Sequence, residues 1–324
     1  MQILIIQTAY IGDVVLATSL IEKIKVYHPD AQIDFLLRKG NEEVLAHNPK
    51  VREVLMWNKQ QRKWRGLMNI LRLVRSRKYD LVVNVHRYLS SGLIAALSGA
   101  GYVVGFRQNP LSYLFDERVT HLMDGRHEIA RNQELIASIT DAEPHHPKMY
   151  VADVSEKVTH LKSKPYVTVS PGSVWPTKQV PVEKWVELLD RLPGAWKVYL
   201  LGAKSDEELC VEILKRTSHK YVTSQAGLLS MRASAALMQD AEMNYVNDSA
   251  PMHFASAVGA PVCAVFCSTS PGLGFGPLSD RHFVVEVKGL TCKPCGISGK
   301  KACPLGHFRC GNDLEVNNML DCLP

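Results

Sequence analysis

The chain has 324 residues, 46% of them hydrophobic and 22% charged, which is the balance of an ordinary globular protein and excludes a disordered or fibrous one. That length is about twice the usual domain size, so two domains are expected. The net charge is a modest +6, and no apolar run reaches the roughly 18 residues that a bilayer-crossing helix needs.

Residues 3–7 form an apolar run that reads as a core strand. No basic stretch precedes it and Asp13 cuts it short, so it does not resemble a secretory signal. A cytoplasmic chain is expected, and its eight cysteines are then thiols or metal ligands rather than disulfides. A helix over 13–28, a strand over 33–37 and a short helix near 42–47 follow. Between Glu53 and Asp80 there is no acidic residue, while Lys59, Arg62, Lys63, Arg65, Arg72, Arg75, Arg77 and Lys78 all fall there. Trp64, Leu67, Met68, Leu71 and Val74 recur at helical spacing, so this is an amphipathic basic helix. Its outer face is either merely solvated or turned toward an anionic surface, such as a phosphorylated glycan or lipid headgroups. No nucleic-acid-reading motif accompanies it, so nucleic acid is not expected as a partner. Strands at 81–85 and 103–106 and helices at 91–97 and 127–139 complete the first half.

A polar stretch, 142–164, separates the second series: strands at 167–170, 198–201, 245–247, 262–266 and 283–287, with helices at 182–192, 206–216, 229–239 and 251–258. Continuous apolar strands alternating with helices predict two doubly wound parallel sheets, divided as 1–155 and 156–324. If the sheets face each other, their carboxyl ends border one central cleft, where such folds bind ligands.

Three strand-to-helix turns carry chemistry. Gly12-Asp13 follows the first strand. Asp13 is either an N-cap or a carboxylate able to take a proton from an acceptor hydroxyl. Ser173-Val174-Trp175-Pro176-Thr177-Lys178 is a small-residue loop with one lysine, suited to phosphate or simply a surface turn. It is not a P-loop, because no Ser or Thr follows Lys178. Asp248-Ser249-Ala250-Pro251 opens a helix whose mouth suits a diphosphate, unless Asp248 is only a cap, and His253 one turn along either reaches the same anion or is simply packed. No Asp-x-Asp occurs in the chain, so diphosphate charge is expected to be met by Lys178 and helix dipoles, with no cofactor required. Cys292, Cys295, Cys303 and Cys310 cluster in a Lys/Gly/Pro-rich loop, either as a structural zinc site or as free thiols.

In this order the motifs resemble the ADP-heptose:lipopolysaccharide heptosyltransferase family, glycosyltransferase family 9, which has the GT-B fold. The carriers are Gly12-Asp13-Val14 with Leu16 and Ser19-Leu20, the Ser173–Lys178 loop with Pro181 and Trp185, Asn247-Asp248-Ser249 with Met252-His253 and Ala255, and His127–Asn132. The resemblance implies an inverting, metal-independent transfer of heptose from ADP-heptose to the anionic inner core of lipopolysaccharide. Asp13 would be the base. Lys178, Asp248, Ser249, Ala250 and His253 would lie at the donor diphosphate, and Ser173, Val174, Lys204 and Leu228 around the nucleoside. The N-terminal domain, through Gly12, Arg62, Arg65, His127 and Arg131, would hold the acceptor, with the protein a monomer peripheral to the cytoplasmic face of the inner membrane. The chain departs from the family pattern in having Ala250 and Cys267-Ser268-Thr269 where Gly and Gly-Pro-Thr are usual; a methyl or thiol there would crowd a diphosphate. A family-9-like transferase with another donor or acceptor, a GT-B-shaped nucleotide-sugar epimerase and a non-catalytic sugar-binding protein are the rival readings.

Overall fold

A computed structural model describes residues 1–59, 63–163 and 165–324, without the side chains of Lys63 and Trp64. The chain divides into two compact units, Met1–Tyr150 and Val151–Pro324.

The first unit runs β1 (Gln2–Ile6), α1 (Ile11–Tyr27), β2 (Gln32–Arg38), β3 (Glu53–Trp57), α2 (Lys63–Ser76), β4 (Leu81–Asn84), α3 (Leu89–Ala96), β5 (Tyr102–Phe106), β6 (Glu117–Val119) and α4 (Glu128–Gln133). Its six strands are parallel, in the order β3-β2-β1-β4-β5-β6. Ile3, Leu4, Ile5 and Ile6 of β1 are all fully buried, as expected of a central strand covered by helices on both faces. The sheet order reverses between β1 and β4, which makes their carboxyl ends the natural ligand position of this unit.

The second unit repeats the plan: α5 (Ala152–Val158), β7 (Tyr166–Ser170), α6 (Val182–Arg191), β8 (Lys197–Leu200), α7 (Glu207–Arg216), β9 (Val222–Ser224), α8 (Met231–Gln239), β10 (Met243–Asn247), α9 (Ala250–Ala257), β11 (Val262–Val265), β12 (His282–Val285), α10 (Arg309–Asn312) and α11 (Asn317–Leu320). The order β12-β11-β10-β7-β8-β9 puts its reversal between β7 and β10. Trp185, Leu188 and Leu189 bury the inner stripe of α6, with Trp185 among the largest fully buried side chains. Helix α5 packs into this unit, where Asp153 pairs with Arg232 of α8. Both units are doubly wound α/β sheets.

Three strands lie outside the sequence-based expectations: β3, β6 and β9, all at or next to a sheet edge. The helix expected over 127–139 is shorter, ending at Gln133 and continuing as a 3-10 turn, Glu134–Ile136. Helix α1 begins at Ile11 with Tyr10 at its N-cap, so Asp13 stands inside the first turn rather than at the cap. Among the described residues no helix is long and apolar enough to cross a membrane.

Candidate functional site

At the switch point of the first unit, the segments after β1, β3 and β4 meet through side chains. Lys59 Nζ donates to both Thr8 O and Thr8 Oγ1 at 2.9 Å, and Thr8 Oγ1 lies 3.0 Å from His86 Nδ1. Burial, helped by Arg38, pulls Lys59 down to about 8. Burial and the charges of Lys59 and Arg87 push His86 down to about 3, so its imidazole is neutral at ordinary pH.

Asp13 is the third residue of α1. The backbone N–H groups of Tyr10 and of Asp13 itself favour its ionised form, as they do for a third-position carboxylate near an N-cap. Burial, then the nearby charge of Glu128, nevertheless raise Asp13 to about 6, against those groups and the opposing charge of Arg87. A residue serving only as a helix terminus gains by being easily ionised. Raised proton affinity is instead what a proton acceptor working near neutrality needs.

Glu128, at the start of α4, is buried in a charged network. His121 Nε2 lies 2.9 Å from Glu128 Oε2, Arg131 Nη1 donates to the same oxygen at 2.9 Å, and Arg87 Nη1 lies 3.0 Å from His121 Nδ1. A guanidinium can only donate, so Nδ1 accepts and the His121 proton sits on Nε2, facing the carboxylate. Burial works against ionising Glu128, but the bonds from His121 and Arg131, with Arg87 nearby, outweigh it and hold its carboxyl below the usual range. Glu128 thus stays an anion and keeps Asp13 basic.

The residues assigned to the acceptor stand in different settings. Arg131 is 1% exposed and bound to Glu128. His127 is the N-cap of α4, its Nδ1 accepting from Ile129 N–H. Arg62 lies outside the described residues. Gly12 is partly buried beside Asp13, and Arg65 is exposed on α2. That helix buries Ile70 and Val74, while Arg65, Met68, Asn69 and Arg72 line a shallow surface pocket of about 380 Å³.

At the switch point of the second unit, Lys178 Nζ stands 2.6 Å from Asp248 Oδ2, the side chains 14% and 8% exposed. Thr269 Oγ1 donates to the same oxygen at 2.6 Å. Asp248 is therefore not a cap; Ser249 is the N-cap of α9 and makes no side-chain cap bond. His253 is buried one turn into that helix. Asn247, the fully buried last residue of β10, clamps both ends of the lysine loop. Its Oδ1 accepts from Val180 N–H at 3.0 Å and its Nδ2 donates to Pro171 O at 2.7 Å. Gln179 Nε2 adds a 2.7 Å bond to Ser173 O. The loops after β7, β8 and β9 present Val174, Lys204 and Leu228, all exposed, with Val174 at 77% and Leu228 at 73%. Gly202 and Gly172 let these loops close in, since a Cβ on either would come within 2.7 Å of the Asp206 side chain.

One expectation is corrected here. Cys267 does not crowd the diphosphate position: it is fully buried in the core of this unit, its Sγ near Gln179 O. Cys292, Cys295, Cys303 and Cys310 lie near enough for their charges to act on one another. Among the described residues no three His, Cys, Asp or Glu side chains are placed to hold one metal ion. Cys310 is buried, whereas the other three are partly exposed. The sequence reading missed Lys59, His86, Arg87, His121 and Glu128 as members of one site. The only cue was that each follows a strand of the first sheet or opens the helix after it.

Two Rossmann-like units, one presenting a basic carboxylate and the other a paired lysine beside an anion-ready helix mouth, define a glycosyltransferase of the GT-B class. Residues 67–306 match the family model described as Glycosyltransferase family 9 (heptosyltransferase), and the chain belongs to that family. It is 29% identical over 281 residues to lipopolysaccharide heptosyltransferase 3 of Escherichia coli K12, covering 80% of each chain. Lipopolysaccharide heptosyltransferase 1 of Pseudomonas aeruginosa is 26% identical over 313 residues, covering 91% of this chain and 86% of the relative. Among solved structures, E. coli ADP-heptose lipopolysaccharide heptosyltransferase II superposes with a TM-score of 0.81 at 22% identity, over 99% of this chain and 97% of that one.

Proposed function

We propose that the protein transfers heptose from ADP-heptose to the anionic inner core of lipopolysaccharide, with inversion, without a metal on the diphosphate, and at the cytoplasmic face of the inner membrane. The observation that carries the chemistry is Asp13, a carboxylate at the first switch point with its proton affinity raised to about 6. It takes the proton of the acceptor hydroxyl as that oxygen bonds the anomeric carbon, and the bond to the diphosphate breaks on the opposite face of the sugar. The leaving charge falls to Lys178 and to α9. Pro251 has no N–H and the Met252 N–H bonds to Ser249 O, so an anion at that mouth meets the N–H groups of Ser249 and Ala250, with His253 behind them. Val174 and Leu228 offer apolar surface to the base, and Ser173 and Lys204 polar groups to the rest of the nucleoside. Heptose and lipopolysaccharide are supported by the names of the two relatives above.

The ionisation of Asp13 gives a pH test. A base must be deprotonated, and its folded pKa is about 6, so kcat/KM should be level between about pH 7 and 8 and fall roughly tenfold per unit below about 6. A rate unchanged at pH 5 would remove Asp13 from the proton transfer.

The basic face of α2 gives another. Changing Arg65 and Arg72 together to Gln should raise the KM for a lipid-linked acceptor severalfold, with donor KM unchanged. The wild-type advantage should fade as salt rises, because exposed charges are screened over about 8 Å at physiological ionic strength. Vesicle flotation with anionic lipid, paired with kinetics on lipid-linked and soluble acceptors, measures both. A double variant that floats and turns over like wild type at low salt would leave α2 a solvated face.

A further inference from the structure

The cysteine-bearing loop between β12 and α10 is docked on the lysine loop. Thr177, 4% exposed, sits next to Lys178 in the 3-10 turn Pro176–Lys178. Its N–H donates to Lys300 O at 3.2 Å, and the Lys300 N–H donates to Thr177 Oγ1 at 2.7 Å. Ser268 Oγ donates to that same hydroxyl oxygen at 3.0 Å, while Ser268 N–H bonds Thr177 O and Cys295 N–H bonds Ser268 O. Gly299 is buried against the lysine loop. A Cβ there would stand 2.4 Å from Trp175 Cβ and 2.9 Å from Lys178 Cγ, so only a residue without one lets the strand pass. Ser268 is one of the residues in which this chain departs from the family pattern, and its hydroxyl ties the segment after β11 to the same Thr177 hydroxyl.

We propose that Gly299–Lys300 acts as a strap that positions Lys178 for the donor diphosphate, with Thr177 and Ser268 as the buckle. The inference rests on the reading that Lys178 binds that diphosphate. Lys178 is held from one side by Asp248 and from the other by the strap, so its ammonium is fixed before the ligand arrives. A site of this kind loses affinity when the outer support shifts, although the strap itself touches no ligand.

The test is calorimetry of ADP and adenosine binding to the full chain, with melting curves for every variant. Gly299→Ala and Thr177→Val should each weaken ADP about fivefold or more, the scale of a lost or misaligned hydrogen bond. Adenosine affinity should hold, and Thr177→Ser, which keeps the hydroxyl, should restore ADP binding. In a Lys178→Ala background, Gly299→Ala should cost nothing further for ADP, because a positioning residue acts only through the group it positions. If Lys178→Ala weakens ADP but Gly299→Ala and Thr177→Val do not, the strap has no such role. Equal losses with and without Lys178 would make it a general support and overturn the proposal likewise. If Lys178→Ala binds ADP like wild type, the diphosphate reading itself fails and the strap falls with it.

Discussion

Replacing Asp13 by Asn should lower turnover by about a hundredfold or more, the usual scale for losing a general base, without lowering the melting temperature. The second half of that expectation follows from the sign of its pKa shift. Burial and Glu128 raise Asp13 from 3.8 to about 6, so the folded chain holds the proton more tightly than the unfolded one. Its contribution to stability is then greatest at low pH and is lost as pH rises through about 6. At pH 8 the folded state carries an ionised carboxylate in surroundings that disfavour it, and Asn relieves this. The favourable influence of the Tyr10 and Asp13 N–H groups is kept in part, because the amide retains one oxygen. Kinetics and melting curves at pH 8 check both halves. Near-normal turnover with a lowered melting temperature would make Asp13 a helix-terminus residue and nothing more.

Lys178→Ala should have two separable effects. It strips the partner from Asp248, 8% exposed at its side chain, leaving only the Thr269 hydroxyl on that carboxylate. Breaking one side of a buried pair costs about 3–5 kcal/mol, and the remaining hydroxyl bond favours the lower end, so about 3 kcal/mol is expected. It should also weaken ADP by about 1.5–3 kcal/mol, the scale of hydrogen bonds to a charged group, while hardly changing adenosine. Adding Asp248→Asn removes the stranded charge, so the double variant should regain most of the stability and none of the ADP affinity. Denaturant unfolding and calorimetry on the same preparations separate the two. A double variant that recovers ADP binding would show that Lys178 serves only to neutralise Asp248.

Much of the fold was legible because its strands are apolar on both faces. Ile3–Ile6 and Val262–Val265 are continuous hydrophobic runs between helical patterns. The strands that escaped were β6 and β9, three residues each, and β3, which opens on Glu53 and leaves Met56 exposed. Asp13, Lys178 and Asp248 were legible as residues at strand ends, but their partners were not. Whether Asp248 caps α9 or pairs with Lys178 depends on two segments brought together by β7 and β10. Likewise Thr177 and Lys300 stand 123 positions apart. The cysteine spacing suggested a ligand set because spacing is all a sequence shows. The packing of Gly299 on Trp175, which gives that loop its place, leaves no local mark. Nor could the sequence show that Arg131 pairs with Glu128 in the interior.

The most direct test of the account is transfer itself. Purified protein would be incubated with ADP-heptose and a heptose-free lipid A inner-core acceptor, and the acceptor followed by mass spectrometry while released ADP is measured. The account predicts one heptose added per ADP released, an anomeric configuration in the product opposite to that of the donor, undiminished rate in chelator, and loss of both products with Asp13→Asn. Unmodified acceptor in the presence of tightly bound ADP-heptose, or transfer that survives Asp13→Asn at full rate, would contradict it.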